Sequence, residues 1–147
     1  MEKNISKIAI TPRAGIGQIS GPITREAGYR LVEDLFPEQT VLVCPPALAV
    51  DIQEDIDFIN EYPVLVLNGC KDRCASKMIL EKGGQIDAEV YLPTILKQEK
   101  LSLYGEKRSR LGAKSELAIQ KMTEDAKSLI LKLLKGEGIN EQTRSMA

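Results

Sequence analysis

The run Pro63-Val64-Leu65-Val66-Leu67 constrains the fold of this chain most, because after the proline it is apolar at every position and not at alternate ones. A strand with that pattern is buried on both faces, as in a parallel sheet covered by helices on both sides. Thr40-Val41-Leu42-Val43-Cys44 is continuous in the same way and is stopped by Pro45-Pro46. Lys7-Ile8-Ala9-Ile10-Thr11, ended by Pro12, and Ala88-Glu89-Val90-Tyr91-Leu92, ended by Pro93, read as the first and fourth strands.

Helical patterns lie between these runs. After Pro22, which suits a first helical position, Ile23, Ala27, Leu31 and Leu35 recur at four-residue spacing, with Arg25, Glu26, Arg30 and Glu33 on other faces. From Ala47 to Asn60, Leu48, Ile52, Ile56 and Ile59 share a stripe. Asp51, Glu54, Asp55 and Asp57 lie mostly opposite and read as a solvated face. A further helix is expected from Arg73 to Lys82, with Asp72 as its N-cap and Gly83-Gly84 as its stop. Strand and helix alternate three times. This predicts a three-layer α/β fold, a mainly parallel four-stranded sheet with flanking helices.

Past about Leu103 the pattern changes. Gly105 to Lys114 reads as a basic loop carrying Lys107, Arg108, Arg110 and Lys114, and these charges suit a phosphate or acidic partner less well than plain solvation. From Ser115 to Lys135, Leu117, Met122, Ala126, Leu129, Ile130, Leu133 and Leu134 form a long amphipathic helix, terminated by Gly136 and Gly138. The polar tail from Asn140 reads as frayed. The expected division is an α/β core with a cysteine cluster over residues 1–103, followed by a basic loop and an extra C-terminal helix over residues 104–147 that packs on the core.

Composition limits the chemistry. At 147 residues and 43% hydrophobic, the chain supports one ordinary core. Lys and Arg total 20 against 21 Asp and Glu, so no net field favours nucleic acid or a membrane surface, and neither is expected as a partner. There is no His. That excludes Ser-His-Asp triads, Cys-His pairs, imidazole bases and His-bound metal. The reactive groups left are Cys44, Cys70, Cys74, carboxylates, lysines and backbone. No signal peptide is evident and no apolar run approaches the roughly 20 residues that span a bilayer, so a reducing cytoplasm is expected. There a pair such as Cys70 and Cys74 reads as metal-binding or redox-active in preference to a structural disulfide.

Ligands of parallel α/β sheets bind outside the carboxyl ends of the strands. The first strand delivers the loop Pro12 to Gly21, the second Cys44, and the third Asn68-Gly69-Cys70 with Cys74 four residues on. Gly15, Gly17, Asn68 and Gly69 are expected to line the site. Cys70 and Cys74 have the spacing of zinc pairs, and a helix beginning by Cys70 would put both sulfurs on one face, where its N-terminus favours thiolate. If the first strand lies between the other two, Cys44 starts roughly 10 Å from Cys70, at about 4.8 Å per strand step. The competing account is inert packing, since free cysteine is often buried. Gly15-Ile16-Gly17-Gln18-Ile19-Ser20-Gly21 follows a strand and opens a helix. Its glycine spacing is not the dinucleotide fingerprint, no acid ends the second strand, and no Gly-Lys-Ser/Thr is present, so nucleotide binding is not expected.

The segment Val64 to Cys70, with Cys74-Ala75 opening a helix that ends Leu80-Glu81-Lys82-Gly83-Gly84, resembles the signature region of the DGC family, small prokaryotic proteins named for an Asp-Gly-Cys motif. The resemblance extends back to Cys44 and Gly17-Gln18 and forward to Val90-Tyr91-Leu92 and the segment before Lys97, roughly residues 6 to 100. It implies zinc held by four cysteines, of which three correspond to Cys44, Cys70 and Cys74. The first has no counterpart, because Thr11-Pro12-Arg13-Ala14-Gly15 contains no cysteine, and the aspartate of the motif is Asn68. Three sulfurs then need water, Asp72 or a partner's ligand to complete a site. The leading expectation is a zinc-binding or similarly thiophilic metal-binding protein. The alternatives are metal-free redox or sulfur-transfer chemistry at Cys70 and Cys74, and a non-catalytic interaction protein docking a partner through its C-terminal helix and basic loop.

Overall fold

In the computed structural model, residues 3–13 and 15–136 are described. Strand β1 (Ile8–Pro12) leads through a loop to helix α1 (Ser20–Tyr29), which runs on as a π-helical stretch, Arg30–Leu35. Strand β2 (Thr40–Leu42) is followed by α2 (Pro45–Ala49) and α3 (Gln53–Glu61). Strand β3 (Val64–Asn68), α4 (Cys74–Glu81) and β4 (Ala88–Tyr91) come next. Helices α5 (Leu92–Gln98) and α6 (Ala113–Leu134) complete the order.

The sheet has the order β2-β1-β3-β4. All pairings are parallel, with Ala9 opposite both Val41 and Val64, and Leu67 opposite Val90. The expected α/β architecture is borne out, and β1 does lie between β2 and β3. The order has a physical consequence. The chain leaves β1 toward β2, crosses back to β3 and continues to β4, so the connections diverge between β1 and β3, and a crevice opens there at the carboxyl edge.

Alternate residues of each strand feed two cores, as a sheet covered on both faces requires. On one side Ile8, Ile10, Leu65, Leu67 and Val90 pack with Ile23 and Ala27 of α1 and Ile119, Met122 and Ile130 of α6. On the other, Ala9, Val64 and Val66 pack with Leu48, Ile59, Ala75 and Ile79 of α2, α3 and α4. Fully burying each such Leu or Ile contributes about 2 kcal/mol.

Several local expectations are corrected. The single helix over Ala47 to Asn60 is two, because Asp51 takes a left-handed conformation (φ 62°) between them, leaving Ile52 48% exposed. Asp55 is buried and does not belong to a solvated face. The π-helical stretch rotates the four-residue stripe after Leu31, so Leu35 faces solvent. Leu117 also lies outside the buried face of α6, whose stripe runs through Ala118, Met122, Ala126, Ile130 and Leu133. The fourth strand stops at Tyr91. Leu92-Pro93 opens α5 there, with proline in the first turn, where its missing N–H costs nothing. Gly83 (φ 77°) closes α4 as expected, with Gly84 N–H donating to Ile79 O at 2.9 Å. Gly138 and the tail from Asn140 lie outside the described residues.

Candidate functional site

All three cysteines lie at the carboxyl edge of the sheet, and all three are free thiols. Cys44 and Cys74 are exposed and Cys70 is half-buried. Cys44 falls just beyond β2, as the N-cap residue of α2, and its N–H donates to the buried Asp55 carboxylate at 2.9 Å. The supposed solvent-facing acid is therefore what anchors the Cys44 backbone.

Helix α4 begins at Cys74, not at Cys70, so the two sulfurs do not share a helical face. Asp72 is not the N-cap. Arg73 stands there in a left-handed conformation (φ 47°) with no side-chain capping bond. Asp72 Oδ2 lies 3.9 Å from Cys70 Sγ, which makes it a neighbour of that thiol. Among the described residues, no three Cys, Asp or Glu side chains come close enough to share a metal ion.

Two depressions divide the thiols. Cys70 lines an open cleft of about 800 Å3 at the β1/β3 switch point, with Gly17, Ser20 and Gly69 on the sheet side. Leu92, Leu96 and Leu103 form an apolar wall, and Lys107 and Arg108 stand at the rim. Cys74 lines a smaller depression of about 270 Å3 with Arg13, Gly15 and Pro45-Pro46, the two residues that follow Cys44. Of the expected lining residues, Gly15 thus borders one depression and Gly17 and Gly69 the other. Asn68 lines neither, being fully buried at the end of β3.

Asn68 holds the floor beneath the thiols. Its side-chain amide donates to Ser76 Oγ at 2.7 Å and to Glu89 Oε2 at 2.6 Å. Glu89, 1% exposed, also accepts from Arg73 Nε at 2.8 Å, and the Arg73 guanidinium lies 4.0 Å over the Tyr91 ring. This network fixes the segment between Cys70 and Cys74. The sequence reading missed Glu89, Arg73 and Ser76. The available signal was a lone acid within an otherwise apolar strand, which in a sheet covered on both faces requires a partner.

The basic loop is organised. Gly112, the N-cap of α6, has no side chain to cap with. Glu106 Oε1 accepts instead from the N–H groups of Gly112 and Ser115, each at 2.9 Å. Hydrogen bonding from Ser115 first of all holds the Glu106 carboxyl below its usual range. Arg108 Nη1 donates to Gly17 O at 2.7 Å, tying this loop to the one after β1.

A doubly wound parallel sheet with free thiols at its carboxyl edge defines a class of small α/β thiol proteins. Within that class the chain belongs to the DGC family: the DGC domain model matches residues 9–115. No curated protein and no solved structure matches it.

Proposed function

We propose that the protein binds zinc, or a similarly thiophilic divalent ion, through Cys44, Cys70 and Cys74, with Asp72 beside Cys70 as a candidate fourth ligand. The observation that carries this reading is exposure. Free cysteine is among the most buried residue types, yet none of these three is buried and all lie at one edge of the sheet. Family membership supports the same reading. The donor chemistry fits, since thiolates suit zinc. The spacing in this conformation does not, so binding requires the loops after β2 and β3 to close around the ion. Three thiolates leave one position for water or an exchangeable ligand, unlike a closed structural site. A reducing cytoplasm is the proposed location, as it would keep the thiols free. Among the described residues, no helix is long and apolar enough to cross a membrane.

The test is elemental analysis of full-length protein purified without a His tag. Near-stoichiometric zinc is expected, without the absorption bands of an iron-sulfur cluster, and lost in a Cys44→Ser/Cys70→Ser/Cys74→Ser variant. Metal-free protein with three rapidly titrating thiols would sink the proposal. The division of Cys70 and Cys74 between two depressions favours a second reading, in which one thiol acts as a nucleophile in redox or sulfur transfer without metal. Alkylation with and without a chelator separates the two, because bound metal shields the thiols until it is removed.

A further inference from the structure

We propose that the larger cleft binds a small organic anion with an apolar body, its charged group held by Lys107 and Arg108 and its body against Leu92, Leu96 and Leu103. The position is the first argument. The cleft opens at the point between β1 and β3 where the sheet's connections diverge, the place at which doubly wound folds take ligands. Its volume of about 800 Å3 falls within the usual range of ligand pockets.

The charge balance is the second. Neither Lys107 nor Arg108 has a carboxylate within 4.0 Å among the described residues; the ion pairs involve other cations. The carboxylate that lines the same cleft, Glu106, is turned to the N-terminus of α6 by its bonds to Gly112 and Ser115. Arg108 spends one N–H on Gly17 and keeps four donors for a ligand. The cleft is thus left with positive charge and no internal partner for it.

The wall is the third argument. Leu96 and Leu103, which are only half-buried, would stay wet beside a bare inorganic ion, whereas an organic anion covers them and gains the hydrophobic term, with the buried Leu92 behind them. None of this depends on the metal reading, since Lys107, Arg108 and the leucines take no part in it.

Titration of full-length protein with the fluorescent anion anilinonaphthalenesulfonate tests the proposal. One saturable site is expected, about tenfold weaker in Lys107→Ala/Arg108→Ala, the combined scale of two exposed charge contacts. Bound dye is expected to slow alkylation of Cys70 by iodoacetamide and to leave Cys74, which faces the other depression, unaffected. Uncharged phenylnaphthylamine, with the same rings and no sulfonate, is expected to bind both proteins alike. Equal affinity of the sulfonate for native and variant protein overturns the proposal, and so does equal protection of Cys74. An equal loss of the uncharged dye also overturns it, tracing the effect to collapse of the loop. Lys107→Ala alone guards against that collapse, because Lys107 makes no side-chain bond that holds the loop. Cys70→Ser is expected to lower zinc binding while keeping dye binding, so the two readings fail separately.

Discussion

The side-chain amide of Asn68 donates to the carboxylate of Glu89 at 2.6 Å, joining the end of β3 to β4 directly beneath the Cys70–Cys74 segment. With Asn68 fully buried and Glu89 1% exposed, a donor is required at position 68. In the family motif that position is aspartate. Here Glu89 supplies the negative charge, and the side chain that meets it from position 68 must therefore be neutral.

Asn68→Asp should consequently be destabilising. It removes the donor to Glu89 and sets a second carboxylate against the first where both side chains are buried, a combination of lost hydrogen bond and like-charge burial that costs about 2–4 kcal/mol. Urea unfolding at pH 7 measures it. A variant as stable as the native protein would show that Glu89 does not need the amide.

Arg73→Gly sets two effects against each other. Glycine relieves the left-handed backbone at φ 47°, a gain of about 1 kcal/mol. It also removes the ion pair to Glu89 and the stacking on Tyr91. Breaking a buried pair costs about 3–5 kcal/mol, and the partial exposure of Arg73 reduces that figure. The loss still exceeds the gain, so a net destabilisation of about 2 kcal/mol is expected in the same unfolding measurement. A stabilised variant would contradict this ordering.

The parts of the fold legible in the sequence were those decided by periodicity. Val64 to Leu67, apolar at every position, gave a strand buried on both faces, and Ile23 to Leu31 gave the inner face of α1. What was not legible depended on contacts distant in sequence. Asp55 has the spacing of a solvent-facing acid in α3, and only the return of the chain after β2 brings the Cys44 N–H to it. Likewise Cys70 and Cys74 have zinc-pair spacing, but α4 starts only at Cys74, after the left-handed Arg73, so Cys70 stays outside the helix and the sulfurs are parted. The cleft beside Lys107 and Arg108 was hidden because its walls come from segments about 90 residues apart, joined by the bond from Arg108 to Gly17.

Asp55→Ala should loosen Cys44 selectively. The substitution leaves the Cys44 N–H without its acceptor at the start of α2, at a cost of about 1–2 kcal/mol, while Asp55→Asn keeps an acceptor oxygen. Hydrogen exchange at the Cys44 amide should accelerate in the alanine variant and change little in the asparagine variant. Equal exchange in both variants would rule out this anchoring role.

Arg30 and Glu116 form a two-point pair, Nη1 to Oε2 at 2.8 Å and Nη2 to Oε1 at 2.7 Å, which clamps α6 to the end of α1. Hydrogen bonding from Arg30 is the main reason that the Glu116 carboxyl sits below its ordinary value of 4.5. A carboxylate with a lowered folded-state pKa contributes stability above the unfolded value, and loses it as pH falls through the folded one. With Glu116 44% exposed, solvent screening limits the contribution to roughly 0.5 kcal/mol. Glu116→Gln should therefore be slightly less stable than the native protein at pH 7, with the gap closing as the pH drops below about 4. A gap independent of pH would place the effect in packing and not in charge.

Gly69 permits the closest approach between the two loops that bound the switch-point cleft. A Cβ there would lie 2.6 Å from Ser20 Cβ and 2.9 Å from Ser20 Oγ, far inside contact distance. Ser20 cannot simply turn aside, because the obstructing Cβ belongs to the first residue of α1, whose hydroxyl also accepts from Arg13 Nη1 at 2.5 Å. Gly69→Ala must therefore push the start of α1 away from the Cys70 loop, at a cost of about 1–3 kcal/mol for an overpacked contact. The shift should also open the cleft wall and speed alkylation of Cys70 more than that of Cys74. A second substitution tests the cause: Ser20→Gly removes the obstructing Cβ, so Gly69→Ala/Ser20→Gly should recover most of the lost stability in a double-mutant cycle. If the pair is merely additive, the contact between Gly69 and Ser20 is not what sets the spacing of the two loops.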